Sequence, residues 1–347
     1  MPGIFDSKYF NTEVFGKYLE TVPRVKQNAL LKAGVLRTRS DLKTMLTDQT
    51  GGNFITVPMN GRIGGDALNY DGSTNITATG LGTYLQSMIV TGRAKAWQEK
   101  DFTYDITGKN FMEVIASQVG DYWDDVDEAT LLAILSGIFG VTAGNFSANN
   151  TYDISASAGD AGKVGPTTLN SAIQKAAGAN KNIFTLAIMH SEVATNLENL
   201  QILEYDKQTD ANGIQKETAL GTWNGRTVLI DDDVPTATAG SGDTAYTKYT
   251  TYILGQNAFD YCNCGAKVPN ETWRDPHTDG GMDELITRQR KLYAPRGFSF
   301  VQPSAPIVSP TDAQLSTAAR WTLVKDTAGT GLYPTKAIPI ARIISRG

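Results

Sequence analysis

An α+β fold is predicted by three features of the 347-residue sequence: a glycine-punctuated extended segment over 51–100, a long helical periodicity over Lys109–Phe139, and short apolar strands alternating with helix patterns after residue 165. The length suits about two domains of ~150 residues. Hydrophobic residues make up 41% and charged residues 19%, a balance that excludes wholesale disorder. The net charge of −5 has the wrong sign for a protein that grips nucleic acid over its whole surface, so any DNA contact must be local.

Residues 1–45 carry eight basic side chains, including Arg24, Lys26, Arg37 and Arg39, against four acidic ones. This local +4 leaves −9 for the remainder. Pro23, Val25, Ala29, Leu30, Ala33 and Gly34 follow helix start, body and stop preferences, so a small helix on an extended basic arm is expected. The arm either is solvated or docks on something acidic.

Nine glycines fall between Gly51 and Gly92 and punctuate two extended runs, Asn53–Met59 and Thr83–Trp97. In the second run Arg93 and Lys95 alternate with Ala94 and Ala96. The intervening GRIGGDALNYDGST reads as a turn-rich tip containing Arg62. A long hairpin results, and an isolated two-stranded ribbon is marginal in water, so it needs its own body or another subunit beside it.

Lys109–Phe139 contains no proline, and Met112, Ile115, Val119, Tyr122, Val126, Ala129 and Ala133 recur at steps of three and four. A helix of that length spans ~46 Å. Glu113, Asp121, Asp124, Asp125, Asp127 and Glu128 fall opposite, and a solvated or subunit-facing acidic face is expected there. Residues 141–166 are small and polar and read as a linker or surface loop. Beyond them, Thr168–Ala177 and Ser191–Leu203 read as helices, the latter with Val193, Leu197 and Leu200 on one face. Ile183–Met189, Thr227–Ile230 and Thr250–Leu254 read as strands, with TATAGSGDTAYT as a flexible loop. The stretch from Glu271 to Phe300 suggests strands around a turn-rich loop, and IPIARII a last strand.

No catalytic, cofactor-binding or metal-ligating pattern emerges. Around Gly162-Lys163 the phosphate-loop pattern fails at Ser157 and Val164, and no dinucleotide, nucleophile-elbow or zinc-protease motif is present. His190 and His277 are the only histidines. Ser191 is the simpler helix cap beside His190, and His277 sits in a Pro/Asp/Gly loop as a surface residue. Cys262 and Cys264 are too few for a disulfide scaffold and too tightly spaced for an easy bridge, so they read as ordinary thiols in a reducing cytoplasm. The five tryptophans are too scattered for a stacking platform and suit core or interface packing. Neither a signal-peptide pattern nor an 18-residue apolar run occurs; a soluble protein without a membrane partner is expected.

The order of parts and the segments IFTLAIMHSEVATNLENL, GTWNGRTVLIDDDVP, YILGQNAFDY and VPNETWRDPHTDGGMDELITRQRKLYAPRGFSF resemble the major capsid proteins of tailed bacteriophages, the Hong Kong-type shell fold shared with encapsulins. That resemblance implies an N-arm over 1–50, an extended hairpin loop over 51–100 and a peripheral domain with spine helix over 101–164. An axial domain over 165–260 and return strands over 261–347 complete it. It further implies a non-enzymatic subunit, made in the host bacterial cytoplasm, that self-assembles into pentamers and hexamers of an icosahedral or prolate head enclosing double-stranded DNA. Candidate partners are further copies of the chain, scaffolding, portal or decoration proteins, and packaged DNA by non-specific contact. Because the arm begins almost at Met1, a separate scaffolding protein, or none, is expected, and no residues match the crosslinking chemistry of some relatives. On charge, Arg24, Lys26, Arg37, Arg39, Arg62, Arg93 and Lys95 are expected to meet acidic surfaces of neighbours, including Asp121, Asp124 and Asp125. Packaged DNA is the other destination for the arm's charge. An encapsulin-like compartment shell is the alternative reading, and a soluble hydrolase with an unrecognised site the remote one.

Overall fold

The computed structural model describes residues 30, 33–47, 52–60, 67–73, 75, 83–102, 111–209, 215–242, 245–326 and 331–346. Most of the arm, with Arg24, Lys26 and the start of its expected helix, lies outside them, as does Arg62 of the expected turn-rich tip. Leu30 is buried in the main core.

The chain begins with β1 (Leu36–Thr38), α1 (Ser40–Thr47), β2 (Phe54–Asn60), β3 (Thr83–Lys100) and α2 (Phe111–Phe139). It continues through α3 (Phe146–Asn150), β4 (Thr151–Asp153), α4 (Thr168–Ala177), β5 (Phe184–Met189), α5 (Ser191–Asn199), β6 (Leu203–Thr209), β7 (Gln215–Trp223), β8 (Arg226–Ile230), β9 (Thr236–Ala239) and β10 (Tyr246–Gly255). Last come β11 (Phe259–Asn263), β12 (Asn270–Asp275), β13 (Met282–Pro295), β14 (Phe298–Phe300), α6 (Asp312–Leu315), β15 (Trp321–Leu323) and β16 (Ile340–Ser345).

A six-stranded sheet runs β1-β11-β13-β3-β2, with β12 also on β13. Its axis is β3. One edge pairs with β2 from Phe54↔Ile89 to Asn60↔Thr83, and the other with β13 from Met282↔Lys100 to Leu292↔Val90. The expected hairpin therefore exists, but its root is not a bare ribbon: Gln86, Met88, Ile89, Val90 and Thr91 are buried because β13 and the β14 layer cover them. Gln86 makes the attachment specific, its Nε2 donating to the carbonyls of Pro295 (2.9 Å) and Phe298 (3.0 Å). Pro58 lies in the edge strand β2, the sheet position where a missing N–H costs least.

An eight-stranded sheet runs β4-β16-β10-β5-β8-β7-β6, with β9 on β10. Alternation sends Leu186, Ile188, Tyr252, Leu254 and Ile340 into one core, while Ala187, Met189, Ile253, Ala341 and Ile343 enter a second beneath α4 and α5, joined by Phe184 beyond a register shift between β5 and β10. Its middle strands are thus apolar on both faces, as a parallel pair such as β5 and β8 demands. The flexible loop expected after Ile230 is instead partly strand, β9 pairing with the start of β10. Residues 141–166 are not a loose linker either: Phe146, Asn150 and Ser155 are buried, and Asn150 donates to the Ile340 carbonyl at 2.8 Å. Helix α5 stops at Asn199, four residues short of expectation, which leaves Leu200 half exposed.

Helix α2 has the expected length but a different inward face. Val119, Trp123, Thr130, Leu131, Ile134, Leu135 and Ile138 are buried, whereas Tyr122 and Ala129 face outward. The stripe is rotated because Asp124 and Glu128 lie inside it and Asp127 pairs with the buried Lys291 of β13. An acidic residue with a cationic partner from a distant strand is tolerated in the interior. Near the helix's end, Gly137 lets α6 approach: a Cβ there would overlap the Leu315 carbonyl and stand 2.6 Å from Trp321 Nε1.

Candidate assembly surfaces

By strand alternation Arg93, Lys95 and Trp97 share one face of β3 with the registered Gln289, Thr287 and Leu285 of β13. Helix α2 lies on that face. Trp123 Nε1 donates to Thr287 Oγ1 at 3.2 Å, Trp97 meets the Tyr122 ring edge-on at 5.3 Å, and Lys291 donates to Asp127. The complementarity expected between subunits is therefore partly spent within one subunit.

Arg93 is held by the chain itself. Its Nη2 lies 2.6 Å from Asp312 Oδ1 at the start of α6, and its Nη1 donates to the Pro310 carbonyl at 2.9 Å. Thr130 of α2 donates to the same carboxylate oxygen at 3.2 Å, so the guanidinium ties β3, α6 and α2 together. Lys95 is exposed. Among the acidic candidates Asp121 and Asp125 are exposed and Asp124 is buried. Asp121, Asp125, Trp97 and Tyr122 line an open, mixed aromatic and acidic hollow of about 440 Å³.

A second charged group stands where the arm enters the sheet. Arg39 pairs with Asp41 (2.5 Å) and Asp260 (3.1 Å), and Arg37 is exposed beside them. Hydrogen bonding from Arg39 holds the Asp41 carboxyl down at about 2. Burial pushes Asp260 upward, against the pull of Arg39, Arg37 and Arg296. Strand β1 pairs in parallel with β11, which places this cluster at the outer edge of the six-stranded sheet.

A third group escapes sequence reading. Arg274 of β12 grips Asp101 (2.7 Å) just past β3 and Asp283 of β13 (2.8 Å), and Lys100 reaches Asp279 at 2.6 Å. These links pin the far end of β3 to the β12–β13 turn. Their sequence signal is scattered charge: Asp283 lies nine positions from Arg274, but Asp101 lies 173 from it.

No chemistry gathers around the remaining candidates. His190, rather than Ser191, caps α5, its Nδ1 accepting from the Glu192 N–H at 3.1 Å. His277 is exposed in the turn after β12. Among the described residues, no three His, Cys, Asp or Glu side chains gather as a metal site.

No family model matches the sequence. The chain is 25% identical over 314 residues to the major capsid protein of Bacillus phage SPP1, covering 90% of this chain and 92% of that one. Its fold is similar to the cyanophage Pam1 capsid (TM-score 0.54, 12% identity, 94% of each chain) and to the capsid of Ralstonia phage GP4 (TM-score 0.54, 11% identity, 76% of this chain and 84% of that one). The head structure of Helicobacter pylori bacteriophage KHP40 is also similar (TM-score 0.53, 10% identity, 90% and 87%). The chain thus has the Hong Kong-type fold of phage capsids, and its sequence is similar to that of a phage major capsid protein along nine-tenths of its length.

Proposed function

We propose that copies of this chain close into pentameric and hexameric capsomers around double-stranded DNA, each subunit completed by its neighbours. The observation that carries this reading is the β2–β3 hairpin. Its root is built into the sheet, yet the described tip residues 67–73 are all exposed, with Tyr70 at 88% and Leu68 at 48%. Such apolar exposure on a projecting element suits a surface covered after assembly. On this reading residues 1–50 act as an arm, 51–100 as the reaching hairpin, 101–164 as the peripheral spine and 165–260 as the axial domain. The return strands over 261–347 join the last two.

The intersubunit charges best supported by exposure are Arg37 and Lys95 on one side and Asp121 and Asp125 on the other. Arg39 and Arg93 contribute less, being engaged within the subunit, and Asp124 belongs to the subunit's own packing. Arg24, Lys26 and Arg62 extend the basic set. Packaged DNA would meet the inner wall without sequence preference, and scaffolding, portal or decoration proteins would dock on the finished lattice. Particle sizing tests the charge pairing. Arg37→Glu with Lys95→Glu should lower particle yield and salt resistance, and Asp121→Lys with Asp125→Lys in the same chain should recover part of both. Unchanged yield and salt resistance in the first variant would overturn it.

A further inference from the structure

Beside the hairpin root lies an open cavity of about 680 Å³ whose lining includes Lys43 of α1, Asn53, Cys264, Lys267 and Arg290. Three of its described lining residues are cationic and none is acidic. Behind it sits a small apolar core holding Cys262 and Cys264 with Leu42 and Leu46. Both thiols are free and buried, and their Sγ atoms are 4.0 Å apart.

The tight sequence spacing argued against a bridge, but the local backbone weakens that objection. Strand β11 ends at Asn263, and Gly265, at φ +68°, turns the chain immediately afterward. Cys264 stands between that strand end and the turn, its N–H still donating to the Arg290 carbonyl of β13 at 2.9 Å. A disulfide at about 2.05 Å requires the two sulfurs to approach by about 2 Å.

We propose that Cys262 and Cys264 form an oxidisable dithiol site, and that the basic cavity admits its oxidant, an anionic low-molecular-weight disulfide of the oxidised-glutathione class. The Cys264 thiol loses its proton to solvent and its thiolate attacks one sulfur of the oxidant. An S–S bond forms to Cys264, the oxidant's own S–S bond breaks, and one glutathione thiolate leaves and takes up a proton. Cys262, deprotonated in turn, attacks Cys264 Sγ and expels the second glutathione. The two cysteine thiols together give up two electrons, the oxidant is reduced to two thiols, and protons balance through solvent. Burial pushes both thiols upward, Cys264 to about 12, so thiolate is scarce near neutrality and closure is slow. A subunit made in a reducing cell stays dithiol and closes on longer exposure outside it.

The test is intact mass of the purified full-length protein after exposure to oxidised glutathione, acid quenching and unfolding, with peptide mapping. Wild type should become lighter by two hydrogens, with the loss on the peptide carrying both cysteines. Cys262→Ser should instead stop with one glutathionyl group on Cys264. At low salt, oxidised glutathione should react several-fold faster than cystamine, a cationic disulfide. Wild type that keeps both thiols, or that accumulates stable glutathionyl groups, overturns the dithiol site. Cystamine reacting as fast or faster overturns the role assigned to the cavity. The wild-type masses decide the first point even if the variant fails to fold.

Discussion

Lys291 and Arg39 show how differently two cations work in one subunit. Lys291 is buried and faces Asp127 across the helix–sheet boundary. Removing one member of a buried pair strands the other, at a cost of about 3–5 kcal/mol. Lys291→Met should therefore lower subunit stability by that order in urea titration, and Asp127→Asn added to it should return part of the loss. Arg39 acts nearer the surface on Asp41, whose carboxyl it holds at about 2 instead of 3.8. A depressed acid contributes stability that is present above the ordinary carboxylate range and is lost as pH falls toward the lowered value. Wild type should thus exceed Arg39→Gln in stability at neutral pH, with the gap narrowing as pH drops from about 4 toward 2. Acid titration of the unfolding midpoint for both proteins checks the sign. Asp41 stands only two positions from Arg39, but the other partnerships were not legible in the sequence, because Lys291 lies 164 positions from Asp127 and Asp260 lies 221 from Arg39.

The length and type of α2 followed from its periodicity and lack of proline, yet its inward face was misjudged. Hydrophobicity alone cannot mark Asp124, Asp127 and Glu128 as inward-facing; for Asp127 the placement depends on Lys291, a cation supplied by β13. Strands β5 and β10 were readable because their middle residues are apolar on both faces. Residues 141–166 were not, because small polar residues hide how firmly Phe146 and Asn150 anchor α3. Gly137 gives a sharp test at this scale. Helix propensity alone favours Gly137→Ala by about 0.5–1 kcal/mol. The added Cβ would collide with the Leu315 carbonyl, and overpacking against backbone costs about 1–3 kcal/mol. The variant should therefore melt lower than wild type, and a higher midpoint would refute the close packing of α2 on α6.

For the whole molecule, the expected order of arm, hairpin, spine and α/β region carried the shell-protein reading, while the contacts that would complete such a shell depend on surfaces no single chain can display. Replacing residues 61–82 with a short Gly-Ser link separates the two. The root of β3 keeps β13 and β14 as neighbours, so the subunit's thermal midpoint should stay within a few degrees. Particle yield by sizing and negative-stain microscopy should fall steeply. A variant that assembles normally would show that the tip is dispensable.

Strand β3 also has a mechanical meaning. Its 18 residues span roughly 60 Å at 3.3 Å each, in one unbroken element from the exposed hairpin to the Arg274 clamp. A load applied by a neighbour at the hairpin end does not dissipate in a hinge. It passes down a hydrogen-bonded strut, through the Gln86 attachment and the Arg93 tie, to the opposite rim of the subunit. A shell built from such struts should share internal pressure across many subunits and yield at the rim clamps before its cores give way.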